Sequence, residues 1–194
     1  MVKKINVLTL CLMFLFMTGL ANAALITGDF RTESDLPYQS DLGPLVHENI
    51  AAAIGAGFEL TDADFVENPS DWGGGVVFMD YNPLTNRLIL NSQDEWDFQT
   101  FDAYIYNIAF DGLDAITGLS MISNNLTTPT IIPTLSFTSN SIHISYDYSD
   151  TFNFTAGIAE FQITTSTGAP VPEPATMLLF GIGLIGLAGV NRKK

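Results

Sequence analysis

Two short stretches bring hard oxygen ligands together. Asp94-Glu95-Trp96-Asp97 is followed by Asp102, and Asp62-Ala63-Asp64 by Glu67, both in turn-rich surroundings. Calcium takes about six to eight oxygens, and loop carboxylates with backbone carbonyls are its natural source. Asp94, Glu95, Asp97, Asp102, Asp62 and Asp64 are therefore candidate Ca2+ ligands. Neither stretch has EF-hand spacing, and a chain with 21 acidic residues also forms such clusters as plain solvated surface. Trp72, in the loop sequence NPSDWGGG, and Trp96, set among acids, are candidate glycan contacts: an exposed ring stacks on a sugar face while nearby Asp or Asn bonds its hydroxyls. Tyr104, Tyr106, Tyr146 and Tyr148 alternate in step with Ile108 and Ile144 and are assigned to the core.

Other chemistry is missing from the sequence. There is no GxSxG elbow, HExxH pair or Walker loop, and Gly73-Gly74-Gly75 runs into a strand-like segment rather than Lys and a helix. His47 and His143 are the only histidines, too few for a zinc site, and His143 falls on the polar side of a hairpin. Paired carboxylates could hydrolyse a glycoside, but among so many acids pairs arise by chance. The expectation is a structural or interaction protein rather than an enzyme, with a calcium-assisted carbohydrate-binding module as the first alternative and a glycan hydrolase as the second.

The segments that must position these residues read as strands. In TLSFTSNSIHISYDYS, Ser139-Asn140-Ser141 turns the chain, and Ile142, Ile144, Tyr146 and Tyr148 alternate with His143, Ser145 and Asp147. VVFMDYNPLTNRLILNS repeats the pattern around Asn82-Pro83-Leu84-Thr85-Asn86. Further strands are expected over Ala103–Phe110, Ile116–Ser123 and Gly157–Thr165. LVHENIAAAIGAGFEL is divided between a helix-favouring Ala run and helix-weakening glycines, and is assigned to strand. The prediction is an all-β fold, an antiparallel β-sandwich of jelly-roll or immunoglobulin-like type.

Charge narrows the partners. Only Arg31 and Arg87 lie between Ala24 and Pro174, against all 21 acidic residues, leaving 19 net negative charges there. Nucleic acid and anionic lipid both require basic groups, so neither is a partner of this region. Neutral or cationic ligands remain. Cys11 is the only cysteine and falls in the leader, which excludes a disulfide framework in the mature protein.

Both ends read as addresses. Lys3 and Lys4 precede an apolar run from Val7 to Met17, and Ala21-Asn22-Ala23 supplies small residues for cleavage between Ala23 and Ala24. An uncleaved anchor is the alternative. At the other end, Ala175–Val190 is uncharged and mostly apolar; as a helix it would reach roughly 24 Å, a short span for a hydrocarbon core of about 30 Å. Arg192, Lys193 and Lys194 would hold its end on the cytoplasmic side. Pro172-Glu173-Pro174 fixes two backbone angles and removes two N–H donors, making an extended handle before the span.

This order of elements closely resembles the PEP-CTERM sorting signal of exported proteins from double-membraned bacteria, especially those making extracellular polysaccharide. The resemblance covers about the last 24 residues. It implies recognition of Pro172, Glu173 and Pro174 by an exosortase, a membrane-embedded transpeptidase-like enzyme, with Ala175–Val190 as the transmembrane helix and Arg192–Lys194 as the membrane stop. It further implies membrane anchoring until processing, then residence in the envelope or the extracellular matrix, with exopolysaccharide and biofilm as the setting. The organisation expected is a signal peptide over 1–23, an ectodomain over 24–165, a linker over 166–171 and the sorting signal over 172–194.

Overall fold

The computed structural model describes residues 25–35, 43–55, 57–67, 76–111, 114–128 and 130–166. The signal peptide with its Ala23–Ala24 junction, Trp72, Gly73–Gly75, most of the linker and the whole sorting tail lie outside the described residues. Among those described, no helix is long and apolar enough to cross a membrane.

Among the described residues eleven strands carry the fold, and every pairing is antiparallel. They are β1 (Leu25–Asp35), β2 (Leu45–Ala53), β3 (Phe65–Glu67), β4 (Val77–Asn82), β5 (Arg87–Ser92), β6 (Asp97–Phe110), β7 (Ile116–Asn124), β8 (Thr127–Thr128), β9 (Thr134–Phe137), β10 (Ile142–Phe154) and β11 (Ile158–Thr165). One sheet runs β3-β2-β1-β6-β10-β8, with β9 also on β10; the other runs β4-β5-β11-β7. The divided Leu45–Leu60 segment is strand over its first part, as expected. Its alanines are tolerated because β2 lies between β1 and β3, where pairing outweighs helix propensity.

A single cluster of buried side chains draws on both sheets. Phe30, Phe98, Phe101, Ile105, Ile144, Phe152 and Phe154 come from the larger sheet, and Met79, Tyr81, Leu88, Leu90 and Phe161 from the smaller. The Phe98 and Phe154 rings lie 4.7 Å apart, and the Phe101 and Phe154 rings 4.9 Å apart and edge-on. Each such side chain contributes about 1.5–3 kcal/mol through burial. Space is tight at Gly28, where β1 crosses this core: a Cβ there would stand 3.0 Å from Ile105 Cγ2, which would have to give way.

Two bulges flank β1. Ala51 in β2 (φ 54°) and Asn107 in β6 (φ 51°) sit in the left-handed region, and the register shifts beside both. A left-handed non-glycine residue costs roughly 1–2 kcal/mol. Asp29, between them on β1, compensates: Oδ1 accepts from Ala51 N (2.7 Å) and Oδ2 from Asn107 Nδ2 (2.6 Å). One carboxylate thus fixes two kinks.

The second bulge corrects the tyrosine assignment. It shifts the parity of β6, so Ile108 is buried although it shares even numbering with Tyr104 and Tyr106, which lie on the outer face, opposite Ala103 and Ile105. Tyr146 is fully buried, as expected, whereas Tyr148 is 39% exposed. Between Asp147 and Phe152 the register of β10 shifts, which lets Tyr148 leave the core face.

The loop before β3 laces the sheets together. Glu59 N and Leu60 N donate to Met79 O, and Met79 N donates to Leu60 O, so residues 59–60 cover the edge of β4. The buried Glu59 carboxylate accepts from Tyr81 N (2.7 Å) and Gly55 N (3.3 Å), and Asn49 Nδ2 donates to Glu59 O (2.7 Å). Burial pushes the Glu59 carboxyl above its ordinary range, with the two backbone donors pulling the other way.

Candidate functional site

The outer face of the larger sheet sets Arg31, Glu33, Glu48, Asp102 and His143 in cross-strand rows. Arg31 lies opposite Glu48 on β2 and Tyr104 on β6, and His143 of β10 lies opposite Tyr104. Arg31 Nε donates to Glu33 Oε1 (2.6 Å) and Nη1 to Glu48 Oε1 (3.3 Å). Burial alone would lower the pKa of this guanidinium; the carboxylates of Glu33 and Glu48 hold it above its ordinary value. The His143 ring lies 4.3 Å from the Tyr104 ring and within 9° of parallel. Its Nε2 hydrogen goes to Asp102 Oδ1 (2.7 Å), since a carboxylate only accepts. Burial raises the Tyr104 hydroxyl's pKa and pushes Tyr106 up to about 12, so both stay neutral donors. Tyr104 stacks on His143 and leans on Tyr106, and the array acts as a cross-strand brace.

This placement separates the expected metal ligands. Asp102 is a strand residue whose carboxylate holds His143, on the order of 15 Å along β6 from Asp97 at the rise of an extended chain. Asp94, Glu95 and Asp97 remain exposed at the approach to β6. Asp64 is committed locally: its Oδ2 accepts from Thr61 N (2.7 Å) and Thr61 Oγ1 (3.0 Å), closing a capping box on the 3₁₀ turn Asp62–Asp64. Asp62 is exposed in the same turn. Among the described residues no three or more His, Cys, Asp or Glu side chains converge as a metal site. Of the candidate glycan contacts, Trp96 packs partly buried against the core, and its carbonyl accepts from Phe154 N (2.8 Å).

Two features have no counterpart among the sequence expectations. His47 is buried against Phe65, with ring centroids 4.2 Å apart, and its Nε2 has no partner among the described residues. Burial lowers its pKa, opposed by the charges of Asp64 and Asp62. At the far end of β6, an open cavity of about 520 Å³ is lined by Ile108, Phe110, Asp114, Ser139 and Asn140 among others. The β9–β10 turn is held over it by backbone bonds from Ile108 N to Asn140 O (3.1 Å) and from Ile116 N to Ser139 O (3.0 Å). A visible signal for this cavity was the turn Ser139-Asn140-Ser141; its meeting with Phe110 depends on the β6–β10 register, which spacing does not give.

The remaining functional element is the tail. A family model for the PEP-CTERM protein-sorting motif matches residues 170–193. The tail is a PEP-CTERM sorting motif. It marks the protein for export, with a membrane-anchored C-terminal signal and processing by an exosortase, as the resemblance implied. The PEP-CTERM match leaves the eleven-strand domain outside it, and neither the curated proteins nor the solved structures hold a match to the chain.

Proposed function

We propose that this protein is an exosortase-sorted component of the cell envelope or extracellular matrix, where its domain serves as an interaction module for extracellular polysaccharide. The observation that carries the reading is the sorting motif at 170–193, on a chain whose described residues form an all-β domain. Two antiparallel sheets drawing on one core support a β-sandwich, an architecture that presents broad, rigid faces to long ligands. In this reading the leader is cut at Ala23–Ala24, Ala175–Val190 anchors the chain transiently as a helix, and Pro172, Glu173 and Pro174 are the recognised handle. The 19 net negative charges direct the module away from anionic polymers. The domain binds rather than cuts.

Fractionation of cells that carry the exosortase tests this. The protein is expected with the polysaccharide-containing matrix or outer envelope, and enzymatic removal of the polysaccharide should release it. Retention in the inner membrane, or a distribution indifferent to polysaccharide removal, would refute the reading.

A further inference from the structure

Charge is absent from one continuous part of the domain. From Ala115 to Tyr146 there is no Asp, Glu, Lys or Arg, although the chain holds 21 acidic and seven basic residues. This run supplies β7, β8, β9 and the first half of β10, where both sheets end. The two ends are tied: Asn124 Nδ2 donates to Ile131 O (2.6 Å), and Ile116 N to Ser139 O. The exposed side chains here are Ser, Thr and Asn with Ile122, Ile132 and Phe137, the last three 45%, 79% and 44% exposed.

An uncharged edge ordinarily invites strand pairing between copies. Here the backbone is blunted instead. The register of β7 shifts twice against β11, next to Met121 and next to Gly118, and β9 is a four-residue strand preceded by Pro133. Bulges, shortness and proline are the devices that deter edge pairing without charge. They leave the side chains available to a partner that is itself uncharged.

The open cavity adjoins this part: Ala115, Ser139 and Asn140 line it from the charge-free run, and Phe110 and Asp114 from the end of β6 and the approach to β7. Its volume, about 520 Å³, falls within the span of roughly 300–1,000 Å³ typical of small-ligand sites. The half-buried Phe110 ring, the Asn140 carboxamide and the Ser139 hydroxyl offer a sugar an apolar face together with donors and acceptors for its hydroxyls.

Building on the polysaccharide reading above, we propose that the cavity beside Phe110 and Asn140 is a subsite for a neutral glycan, whose chain continues along the uncharged edge formed by β7 and β9. Asn140 bonds hydroxyls, Phe110 supplies the stacking surface, the uncharged edge accepts a neutral chain without desolvating an ion, and the acid-rich remainder of the domain repels uronic acids and sulfated sugars.

Affinity electrophoresis of the exported, processed protein through native gels containing dextran, galactomannan or alginate provides the test. A neutral polymer should retard the wild type, and alginate should not. Asn140→Asp keeps the oxygen that accepts from Thr138 Oγ1 (3.2 Å), so the turn survives while a second carboxyl group joins Asp114 in the cavity. It and Phe110→Ala should each weaken retardation by at least about fivefold, the scale of an energetically significant contact. Retardation unchanged in both variants would overturn the site while leaving the polysaccharide reading intact. No retardation of the wild type by either neutral polymer would also overturn the site. If in addition the protein ignores the cell's own polysaccharide, the broader reading falls with it. Concentration-dependent self-association abolished by Asn140→Asp would replace the glycan with a second copy of the chain.

Discussion

The part of the domain built on β1 and β2 and the part built on β7 and β9 are held by different chemistry. Around β1, carboxylates do the fastening: Asp29 pins two bulges, Glu33 and Glu48 flank Arg31, and Asp64 caps the turn into β3. Around β7 the fasteners are neutral, with Asn124 reaching Ile131 O and Ser166 Oγ accepting from Ala115 N (2.9 Å). The outer edges are guarded in matching ways. β3 ends in Glu67 beside an acidic turn, whereas β7 and β9 depend on bulges and proline. An acid-rich export domain can therefore set aside one uncharged surface without exposing a sticky strand. Salt and pH should act on the first part and hardly on the second.

The largest expected effect comes from breaking the neutral part at its tightest backbone approach. A Cβ on Gly157 would lie 2.1 Å from Asn125 O, backbone that cannot swing aside like a side chain. Gly157→Ala should cost about 3 kcal/mol in urea denaturation; a loss below about 1 kcal/mol would show that the Asn125 turn yields. On the charged side, Asp29→Ala frees both bulge donors in a solvent-exposed setting and should cost about 1.5 kcal/mol. Asp29→Asn should lose most of the same, because its amide must turn N–H toward one of two donors.

A smaller effect separates the two parts by pH. The folded pKa of His47 is depressed by burial below its ordinary 6.5, so the unfolded chain binds the proton more readily. Its contribution is present above pH 6.5 and is lost as pH falls through the depressed folded value. Glu59 runs oppositely: its raised folded pKa favours the fold below the ordinary carboxyl range and loses that benefit as pH rises through the raised value. His47→Phe, which keeps a ring against Phe65, should therefore flatten the loss of thermal stability as pH falls below 6.5 while leaving the Glu59 limb. An unchanged acid limb would exclude His47 as its source. The smallest effect is expected at the exposed Arg87–Glu160 pair (3.1 Å): Arg87→Gln should change stability by no more than about 0.5 kcal/mol, and less in added salt.

Much of this fold could be read from alternation and turn residues. The Asn82–Asn86 turn forms as its sequence suggests, with Asn82 Oδ1 accepting from Leu84 N (3.0 Å) and Asn86 at φ 53°. The hairpin around Ser139–Ser141 likewise places Ile142, Ile144 and Tyr146 inside. What misled was parity. A bulge at Asn107 and the register shift after Asp147 each change which side chains face inward, and an Asn within a strand-like run does not by itself mark where the register shifts. The Asp102–His143 pair was hidden for a related reason: its members are separated by 41 positions, and only the β6–β10 register joins them. The acidic clusters were visible as composition, but their members take separate duties in strand, turn and surface. The sorting motif was the most legible part because its recognition depends on the order of residues along the chain rather than on a packed geometry.

The most direct test is the intact mass of the exported protein from cells containing the exosortase, compared with a variant carrying Pro172→Ala, Glu173→Ala and Pro174→Ala. The wild type should begin at Ala24 and lack the basic end Arg192–Lys194, while the variant is exported but keeps its tail. A wild-type mass that still includes residues 175–194, or identical processing of the variant, would contradict sorting through this motif.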